Sequence, residues 1–315
     1  MRNGETAIPT PQPRPAREVS ASIPQAGLTS AIVVTHCSAT TIETCLRALL
    51  SGSWPVEVVV VDNASDDITP QLLHERRAAE PALRVLLNAE NPGFATACNQ
   101  GAAQAHGDAL LFVNPDAYVA PETVRCLRGL LDAHPDIGLL GCTVVDGRGR
   151  PHGPQRRREP TWRRSLCTLL GLSRLERRWP ALAGVEDRRP LPDAAELVET
   201  DAVNGALMLV PRAVFEGVGG FDEGYRLHAE DLDLCRRIRD AGYRVAMAPR
   251  VRITHDGGVS SRRRPLQVEW WKTRSLWRYF RRHDQAAGNP LVAALVATGL
   301  GLRLLARLLL LPLRR

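Results

Sequence analysis

From residue 31 onward the chain alternates short apolar runs with segments of helical spacing, and this alternation restricts the fold more than any other feature. Five apolar runs predict buried strands: "AIVVTH" (31–36), "VEVVVVD" (56–62), "LRVLLN" (83–88), "ALLFVN" (109–114) and "IGLLGCTVVD" (137–146). Helical patterns separate them at "TIETCLRALLS" (41–51), "ITPQLLHERRAAE" (68–80), "FATACNQGAAQAH" (94–106) and "PETVRCLRGLLDAH" (121–134). Because continuous apolar runs suit strands covered on both faces, the pattern predicts an α/β fold with a mostly parallel sheet flanked by helices.

The chain divides into segments of different composition. Residues 1–29 carry five prolines and no apolar run, which predicts a disordered lead-in rather than a signal peptide or a transmembrane anchor. Residues 30–146 form the alternating half, residues 147–260 form a second half that opens with an insertion rich in Arg, Pro and Trp (147–199), and residues 261–315 form a helical tail. Strands in the second half are expected at "AVNGALMLVP" (202–211), "YRVAMAP" (243–249) and "VRITH" (251–255).

The formal net charge of +7 comes from arginine, because the 41 basic residues include a single lysine, Lys272. The excess is concentrated in residues 156–189 and 262–282, which suits a membrane surface or a phosphate-bearing substrate. Neither segment carries a nucleic-acid recognition motif, so nucleic-acid binding is not expected. Seven cysteines without a CxxC pair indicate small core residues in a reducing cytoplasm.

Two acidic motifs directly follow predicted strands. "VVVVDNASDD" places Asp62 and Asn63 after the second strand, and "LLFVNPDAYV" places Asn114 and Asp116 after the fourth. Ligands of open α/β sheets bind at the carboxyl ends of strands, where one carboxylate can accept hydrogen bonds from a ribose or base and another can bind a divalent cation. Because Asp, Asn and Pro also make turns, either motif taken alone is compatible with a purely structural role.

Longer stretches around these motifs carry a family resemblance. "NAENPGFATACNQGAAQAHGDALLFVNPDAYV" (88–119) and "VNGALMLVPRAVFEGVGGFDEGYRLHAEDLDLCRRIRDAGYRVAMAPRVRITHDGGVS" (203–260) resemble the two halves of the pattern of inverting family 2 glycosyltransferases, particularly the bacterial rhamnosyltransferase-like branch. The resemblance runs from about residue 30 to residue 260. It implies a GT-A fold, which is a Rossmann-like, mostly parallel sheet flanked by helices, here with a C-terminal amphipathic helical extension.

The resemblance also implies roles for individual residues. Asp62 and Asn63 match the nucleotide contacts of the family, and Asp116 matches the metal-binding acid of its DxD-type motif. Asn114 stands where that motif has its first acid and is assigned to nucleotide or sugar binding, because an amide is a poor metal ligand. His255 matches a histidine that completes the metal shell in some relatives, although a histidine at a strand end can equally be a polar cap. The implied cofactor is a divalent cation, Mn²⁺ or Mg²⁺.

Three acids in "YRLHAEDLDLCRRIRDAGY" (225–243) have two interpretations. At the start of a helix, Glu230, Asp231 and Asp233 complement the macrodipole and the exposed N–H groups, and Arg237 at i+4 gives Asp233 a partner. The resemblance instead makes Asp231 the general base, with Glu230 beside it to orient the acceptor. An inverting transfer needs such a base on the face of the sugar opposite the leaving nucleotide. We therefore expect Asp231 to be catalytic and Asp233 to be structural.

The most apolar segment is "NPLVAALVATGLGLRLLARLLLLPLRR" (289–315). Its longest charge-free stretch, 291–302, is shorter than the roughly 20 residues of a spanning helix, so a helix lying on a membrane surface is expected. Arg303 and Arg307 would then share a face at the lipid headgroups, and the mixture of Trp, Tyr and Arg that precedes the segment suits the same surface. The alternative is a helix packed on the protein itself or on a second copy of the chain.

Together these features predict a metal-dependent inverting glycosyltransferase that is cytoplasmic and peripheral to the inner face of the plasma membrane. It would transfer a sugar, with rhamnose as the leading candidate, from a nucleotide diphosphate donor to a lipid-linked or surface-polysaccharide acceptor. A second class of function, a non-catalytic nucleotide-sugar-binding or assembly protein of polysaccharide biosynthesis, requires the acids to be structural only. A homo-oligomer is compatible with either function.

Overall fold

A computed structural model describes residues 24–191, 195–257 and 265–310 of the chain. The strands are β1 (Gln25–Thr35), β2 (Val56–Asp62), β3 (Leu83–Leu87), β4 (Gly107–Val113), β5 (Ala117–Val119), β6 (Ile137–Val145), β7 (Arg156–Arg157), β8 (Val198–Glu199), β9 (Ala202–Val203), β10 (Leu207–Pro211) and β11 (Arg244–His255). The helices are α1 (Ile42–Leu50), α2 (Thr69–Ala79), α3 (Phe94–Gln104), α4 (Thr123–Ala133), α5 (Trp162–Leu169), α6 (Arg212–Gly217), α7 (Glu230–Asp240), α8 (Pro265–His283) and α9 (Pro290–Leu310).

One mixed sheet organises the molecule. Its strand order is β3-β2-β1-β4-β10-β6-β11-β5, and β8 pairs with β11 beside this path. The strands β3, β2, β1 and β4 are parallel to one another, whereas β10 runs antiparallel between β4 and β6. A separate small sheet pairs β7 with β9. Both predicted halves of the chain thus contribute to one continuous sheet, and the boundary at residue 146 stays a prediction.

Helices cover both faces of the sheet because its central strands are apolar on both sides. Every residue of β6 is buried. Neighbouring residues of β1 point to opposite faces, so that Val33 joins the core formed with α1 and α4, whereas Ile32 joins the core formed with α3 and α7. The predicted α/β architecture is confirmed. All seven cysteines are free and five of them are buried, as expected of core residues, whereas Cys126 is exposed.

Three predicted strands have different boundaries in the structure. The run predicted at 202–211 divides into β9 and β10, which belong to different sheets. Strand β1 begins inside the predicted lead-in (1–29), because the Gln25 N–H donates to the His106 carbonyl at 2.7 Å; residues 1–23 lie outside the described chain. The two runs predicted at 243–249 and 251–255 form the single strand β11. Its pairing with β6 shifts register between Ala248 and Arg252, where Pro249 has no N–H to donate to the ladder.

Ion pairs rather than an apolar core hold the insertion at 147–199. Helix α5 has no buried residue. The Asp187 carboxylate accepts hydrogen bonds from Arg158 at 2.9 Å and from Arg189 at 2.6 Å, and Arg158 also reaches Glu176 at 2.9 Å. Part of the basic excess predicted to face a membrane or a phosphate is therefore neutralised within the segment itself.

The tail folds into a hairpin of α8 and α9. Arg303 of α9 forms an ion pair with Glu269 of α8 at 2.9 Å, which joins the two helices, and its place at the lipid headgroups stays a prediction. Residues 290–309 of α9 have a mean hydropathy of 1.8 and are long and apolar enough to cross a membrane, judged by length and composition alone. Five leucines of α9 are between 51% and 79% exposed: Leu291, Leu295, Leu302, Leu305 and Leu309.

Candidate functional site

Strand pairing brings three of the predicted residues together at one end of the sheet. The register of β11 against β5 places His255 opposite Ala117, next to Asp116. The His255 Nε2 atom lies 3.0 Å from a carboxylate oxygen of Asp116 and 3.3 Å from the amide nitrogen of Asn114. The backbone N–H of Asn114 donates to the Ala206 carbonyl at 3.0 Å, which fixes the turn after β4. We call Asn114, Asp116 and His255 the strand-end group.

The strand-end group fits a divalent cation that also has ligands from outside the protein. Asp116 offers a carboxylate oxygen and His255 an imidazole nitrogen, and both kinds of atom bind Mn²⁺. Across the described ranges, no cluster of three or more His, Cys, Asp or Glu residues could hold a metal ion without further ligands. Phosphate oxygens and water are the usual additional ligands of such cations. The arrangement therefore suits a cation shared with a phosphate-bearing molecule.

The loop after β2 is held by its own polar side chains. Asp62 is only 2% exposed, and its carboxylate accepts hydrogen bonds from the Ser65 N–H at 3.0 Å and the Ser65 hydroxyl at 2.5 Å. The Asn63 amide donates to the Gly93 carbonyl at 3.2 Å and accepts from Asn88 at 2.9 Å. These bonds fit the turn interpretation, and they leave the carboxylate of Asp62 with lone pairs that a ribose or base could use.

Helix α7 begins after two consecutive non-glycine residues in the left-handed region, His228 at φ 65° and Ala229 at φ 66°. Such residues cost about 1–3 kcal/mol each and persist only where the surroundings enforce them. A Cβ atom on Gly205 would lie 2.8 Å from the Asp231 Oδ2 atom, so glycine is needed there for close approach. The local backbone is thus committed to one placement of the first turn of α7, which we call the acid turn (Glu230, Asp231 and Asp233).

Asp231 forms an ion pair with Arg157, which comes from β7 in the insertion. The Arg157 guanidinium donates to the Asp231 Oδ2 atom and, at 2.6 Å, to the Val203 carbonyl. The other oxygen of Asp231 accepts from the Leu232 N–H at 2.8 Å. The side chains of Asp231 and Arg157 are 12% and 20% exposed, so most of this ion pair is shielded from solvent.

Glu230 has a different environment from its neighbour. Burial, and then the charge of Asp231, raise the pKa of Glu230 from 4.5 to about 8. Its Oε2 atom is buried and has no hydrogen-bond partner among the described residues. At neutral pH the acid turn therefore holds a protonated carboxyl group beside a carboxylate, a separation of environments typical of acid and base roles.

Asp233 is structural, as its i+4 spacing to Arg237 predicts. It is fully buried and accepts hydrogen bonds from Arg237 Nε at 2.7 Å and from His283 Nε2 at 2.7 Å. Burial alone would raise the pKa of Asp233, but these two partners hold it below its ordinary value. Because His283 belongs to α8, the same contacts fasten the tail to α7.

The loop before the acid turn is joined to the loop before α3. The Arg226 guanidinium donates to the Asn91 carbonyl at 2.6 Å, and the Arg226 carbonyl accepts from the Phe94 N–H at 3.1 Å. Gly93, at φ 104°, allows this approach, because a Cβ atom there would lie 2.7 Å from the Arg226 carbonyl oxygen. The loop before α3 and the loop before the acid turn therefore have a fixed position relative to each other.

Sequence reasoning missed Arg157. The only signal is the cluster "QRRREP" (155–160), and nothing in its spacing tells which arginine reaches an acid 74 positions later. It also missed that α8 packs on the loop before α7.

Comparison with known proteins finds glycosyltransferase families along most of the chain. Residues 30–184 match the family described as glycosyl transferase family 2, and residues 186–311 match glycosyl transferase family 21. The chain is 29% identical over 246 residues to N-acetylglucosaminyl-diphospho-decaprenol L-rhamnosyltransferase of Mycobacterium tuberculosis, which covers 74% of this chain and 78% of the relative. It is 36% identical over 78 residues to rhamnosyltransferase WbbL of Escherichia coli, covering 25% of this chain and 30% of the relative.

Solved structures share the fold. The mannosyltransferase PcManGT of Pyrobaculum calidifontis, in complex with GDP-Man and Mn²⁺, has a TM-score of 0.53 at 22% identity and covers 88% of this chain and 80% of that chain. GalNAc-T7 with UDP, GalNAc and Mn²⁺ has a TM-score of 0.57 at 17% identity, covering 72% of this chain and 43% of the longer one. The GT-A-like fold expected from the resemblance is confirmed.

Proposed function

Because this chain belongs to the family 2 glycosyltransferases, we propose that it is an inverting, metal-dependent enzyme that transfers a sugar from a nucleotide diphosphate to a lipid-linked glycan. The similarity to rhamnosyltransferases of M. tuberculosis and E. coli supports rhamnose as the sugar. The name of the mycobacterial relative includes a diphospho-decaprenol group, which supports a lipid-linked acceptor. An O-antigen biosynthesis protein of Myxococcus xanthus, 26% identical over 238 residues, supports a role in surface polysaccharide synthesis.

The observation that carries this proposal is the contrast between Asp231 and Glu230 in the acid turn. In a single displacement, the Asp231 carboxylate takes the proton of the acceptor hydroxyl as that oxygen attacks the anomeric carbon. The bond between the anomeric carbon and the diphosphate oxygen breaks, and the nucleoside diphosphate leaves with the electron pair. Glu230, protonated at neutral pH, can donate a hydrogen bond that orients the acceptor.

The strand-end group and the β2 loop supply the donor side of the proposed site. Asp62, Asn63 and Asn114 bind the nucleotide and ribose, and Asp116 and His255 hold the divalent cation. When bound, the cation neutralises the negative charge that develops on the leaving diphosphate. The complexes of PcManGT and GalNAc-T7 with Mn²⁺ support this assignment.

The exposed leucines of α9 support attachment to a membrane. Leu266 and Trp270 of α8 are also exposed, at 58% and 55%, and they lie at the end of the hairpin near Arg303 and the C-terminal part of α9. Exposed apolar helices of this kind bind lipid surfaces. We place the enzyme at the cytoplasmic face of the plasma membrane, where it meets a lipid-linked acceptor.

Thermal stability in the presence of nucleotides tests the donor side. The purified protein is melted with UDP, dTDP, GDP or CDP, each with and without Mn²⁺ or Mg²⁺, because a ligand that binds only the folded state raises the melting temperature. We expect dTDP to raise it only when metal is present, and Asp116→Asn to abolish the increase. No increase with any nucleotide, in a protein shown to be folded, would contradict the proposal and favour a non-catalytic assembly protein.

A further inference from the structure

The buried stripe of α8 directs Lys272 toward the start of α7. Ser275 and Tyr279 are buried members of this stripe, and the helical spacing places Lys272 and His283 on the same face. The Ser275 hydroxyl donates to the Leu227 carbonyl at 2.9 Å, and His283 contacts Asp233 at 2.7 Å. Lys272 lies one helical turn before Ser275 on the same face, so it is next to the residues that lead into the acid turn.

Lys272 is a cation without an acidic partner among the described residues. The acid whose charge acts on the pKa of Lys272 is Glu269, and its carboxylate already pairs with Arg303 at 2.9 Å. Burial is the largest cause that lowers the pKa of Lys272. A partly buried ammonium group that lacks an acid is costly to desolvate, so the position calls for an anion from outside the chain.

Further cations surround Lys272. Arg303 of α9 donates at 3.3 Å to the hydroxyl of Thr273, the neighbour of Lys272 in α8, and Arg307 lies one turn further along α9. The positive charges of Arg303, Arg307 and Arg157 all lower the pKa of Lys272. His228 adds no charge, because burial and then Lys272 lower its pKa to about 4. We call Arg157, Lys272, Arg303 and Arg307 the cationic cluster. It extends from Asp231 to α9, the helix that exposes a face of leucines.

We propose that the cationic cluster binds the phosphate groups that join the acceptor glycan to its lipid, with the lipid chain lying along the exposed leucines of α9. This inference rests on the proposed function. The chemistry favours the acceptor over the donor, because the base of an inverting transfer lies opposite the leaving diphosphate. Arg157 contacts Asp231 itself, whereas the donor diphosphate is assigned to Asp116 and His255 at the strand ends.

Farnesyl diphosphate, which carries a lipid and a diphosphate but no sugar, is the probe for this site. Its binding is measured by calorimetry in EDTA, so that metal-dependent binding at the donor site is removed. Lys272→Met keeps the length of the side chain and removes its charge, and Asp116→Asn is the matched control on the donor side. We expect Lys272→Met to weaken binding at least about tenfold and Asp116→Asn to leave it unchanged, because a hydrogen bond to a charged group contributes that much. Equal affinities of Lys272→Met and the wild type would overturn the proposal.

Two further arms make the result specific. Arg307→Gln changes an exposed residue that cannot disturb the core, so it tests the cluster even where Lys272→Met folds poorly, and it is expected to weaken binding several-fold. Phosphatidylcholine vesicles with and without phosphatidylglycerol distinguish a lipid headgroup from a lipid-linked acceptor. If Lys272→Met loses vesicle binding by the same factor as farnesyl diphosphate binding, the cluster is a headgroup site and the acceptor assignment is wrong. These binding measurements contain no sugar donor, so their result does not depend on whether the protein transfers a sugar.

Discussion

At the scale of single residues, the acid turn shows how two aspartates two positions apart acquire different roles. Successive residues of an α-helix are rotated by about 100°, so side chains two positions apart point in nearly opposite directions. Asp231 therefore faces Arg157 and remains partly exposed, whereas Asp233 faces α8 and is fully buried between Arg237 and His283. The direction of the side chain, rather than its chemistry, separates the proposed base from the structural acid.

Asp233→Asn is expected to lower the free energy of unfolding by about 3 kcal/mol, because it removes the charged partner of buried cationic groups. Urea unfolding measures this loss. The control is Asp240→Asn, at the exposed end of the same helix, where Asp240 pairs with Arg236 and is 52% exposed. That variant is expected to change stability by less than about 1 kcal/mol. Equal effects of the two substitutions would contradict the structural role of Asp233.

The raised pKa of Glu230 predicts a pH-dependent stability. Between pH 4.5 and about 8 the folded state keeps a proton on Glu230 that the unfolded state has lost. The contribution of this group is therefore fully present below pH 4.5 and is lost as the pH rises through about 8. Denaturant unfolding measures the free energy of unfolding of the wild type and of Glu230→Gln across this pH range. The wild type should lose stability relative to Glu230→Gln as the pH rises. A difference that does not vary with pH would show that Glu230 ionises normally.

At the scale of elements, α8 packs against the loop that precedes the acid turn and is not an independent tail. Arg278 and Arg282 both bind Asp222 in the loop that precedes α7. The Arg226 guanidinium stacks on the Trp271 ring at 4.8 Å from its centroid. Because α8 is followed closely by α9, one element joins the helix with the exposed leucines to the loop before Asp231, the proposed general base.

Leu302→Lys is expected to weaken binding to phospholipid vesicles about tenfold, because burying one leucine in an apolar environment contributes about 1.5–3 kcal/mol. Vesicle sedimentation measures the bound fraction. Leu87→Lys is a matched control, because Leu87 lies on β3 and both leucines are 62% exposed. Loss of binding in both variants, or in neither, would argue against α9 as the membrane-binding element.

At the scale of the whole molecule, β10 joins the two halves of the chain. This strand lies between β4 and β6. The Ala206 carbonyl just before β10 therefore accepts a hydrogen bond from the Asn114 N–H in the turn after β4. The neighbouring strands β11 and β5 then bring His255 to Asp116, 139 positions away in the chain. The strand-end group is therefore a product of the complete sheet and would not form in either half alone.

The sequence predicts what depends on local pattern. The run at 56–62 coincides with β2, because four consecutive valines (58–61) between Pro55 and the Asp62 turn have few alternatives to a buried strand. Asp62, Asp116 and Asp231 could be singled out because each stands at the end of a strand or the start of a helix. Three features could not be predicted: the Arg157 ion pair, the position of β10 in the sheet and the contacts of α8. They join segments that are far apart in the sequence, and they do not change its hydrophobic periodicity.

Turnover of Asp231→Asn tests the central claim most directly. The wild type and the variant are compared with a nucleotide-sugar donor and a lipid-linked acceptor, and donor binding is measured in parallel by thermal stability. Removing a positioned general base costs about 10²–10⁴-fold in rate, so product formation is predicted to fall by about 10³-fold while donor binding is unchanged. Product formation at the wild-type rate would contradict the assignment of Asp231 as the base.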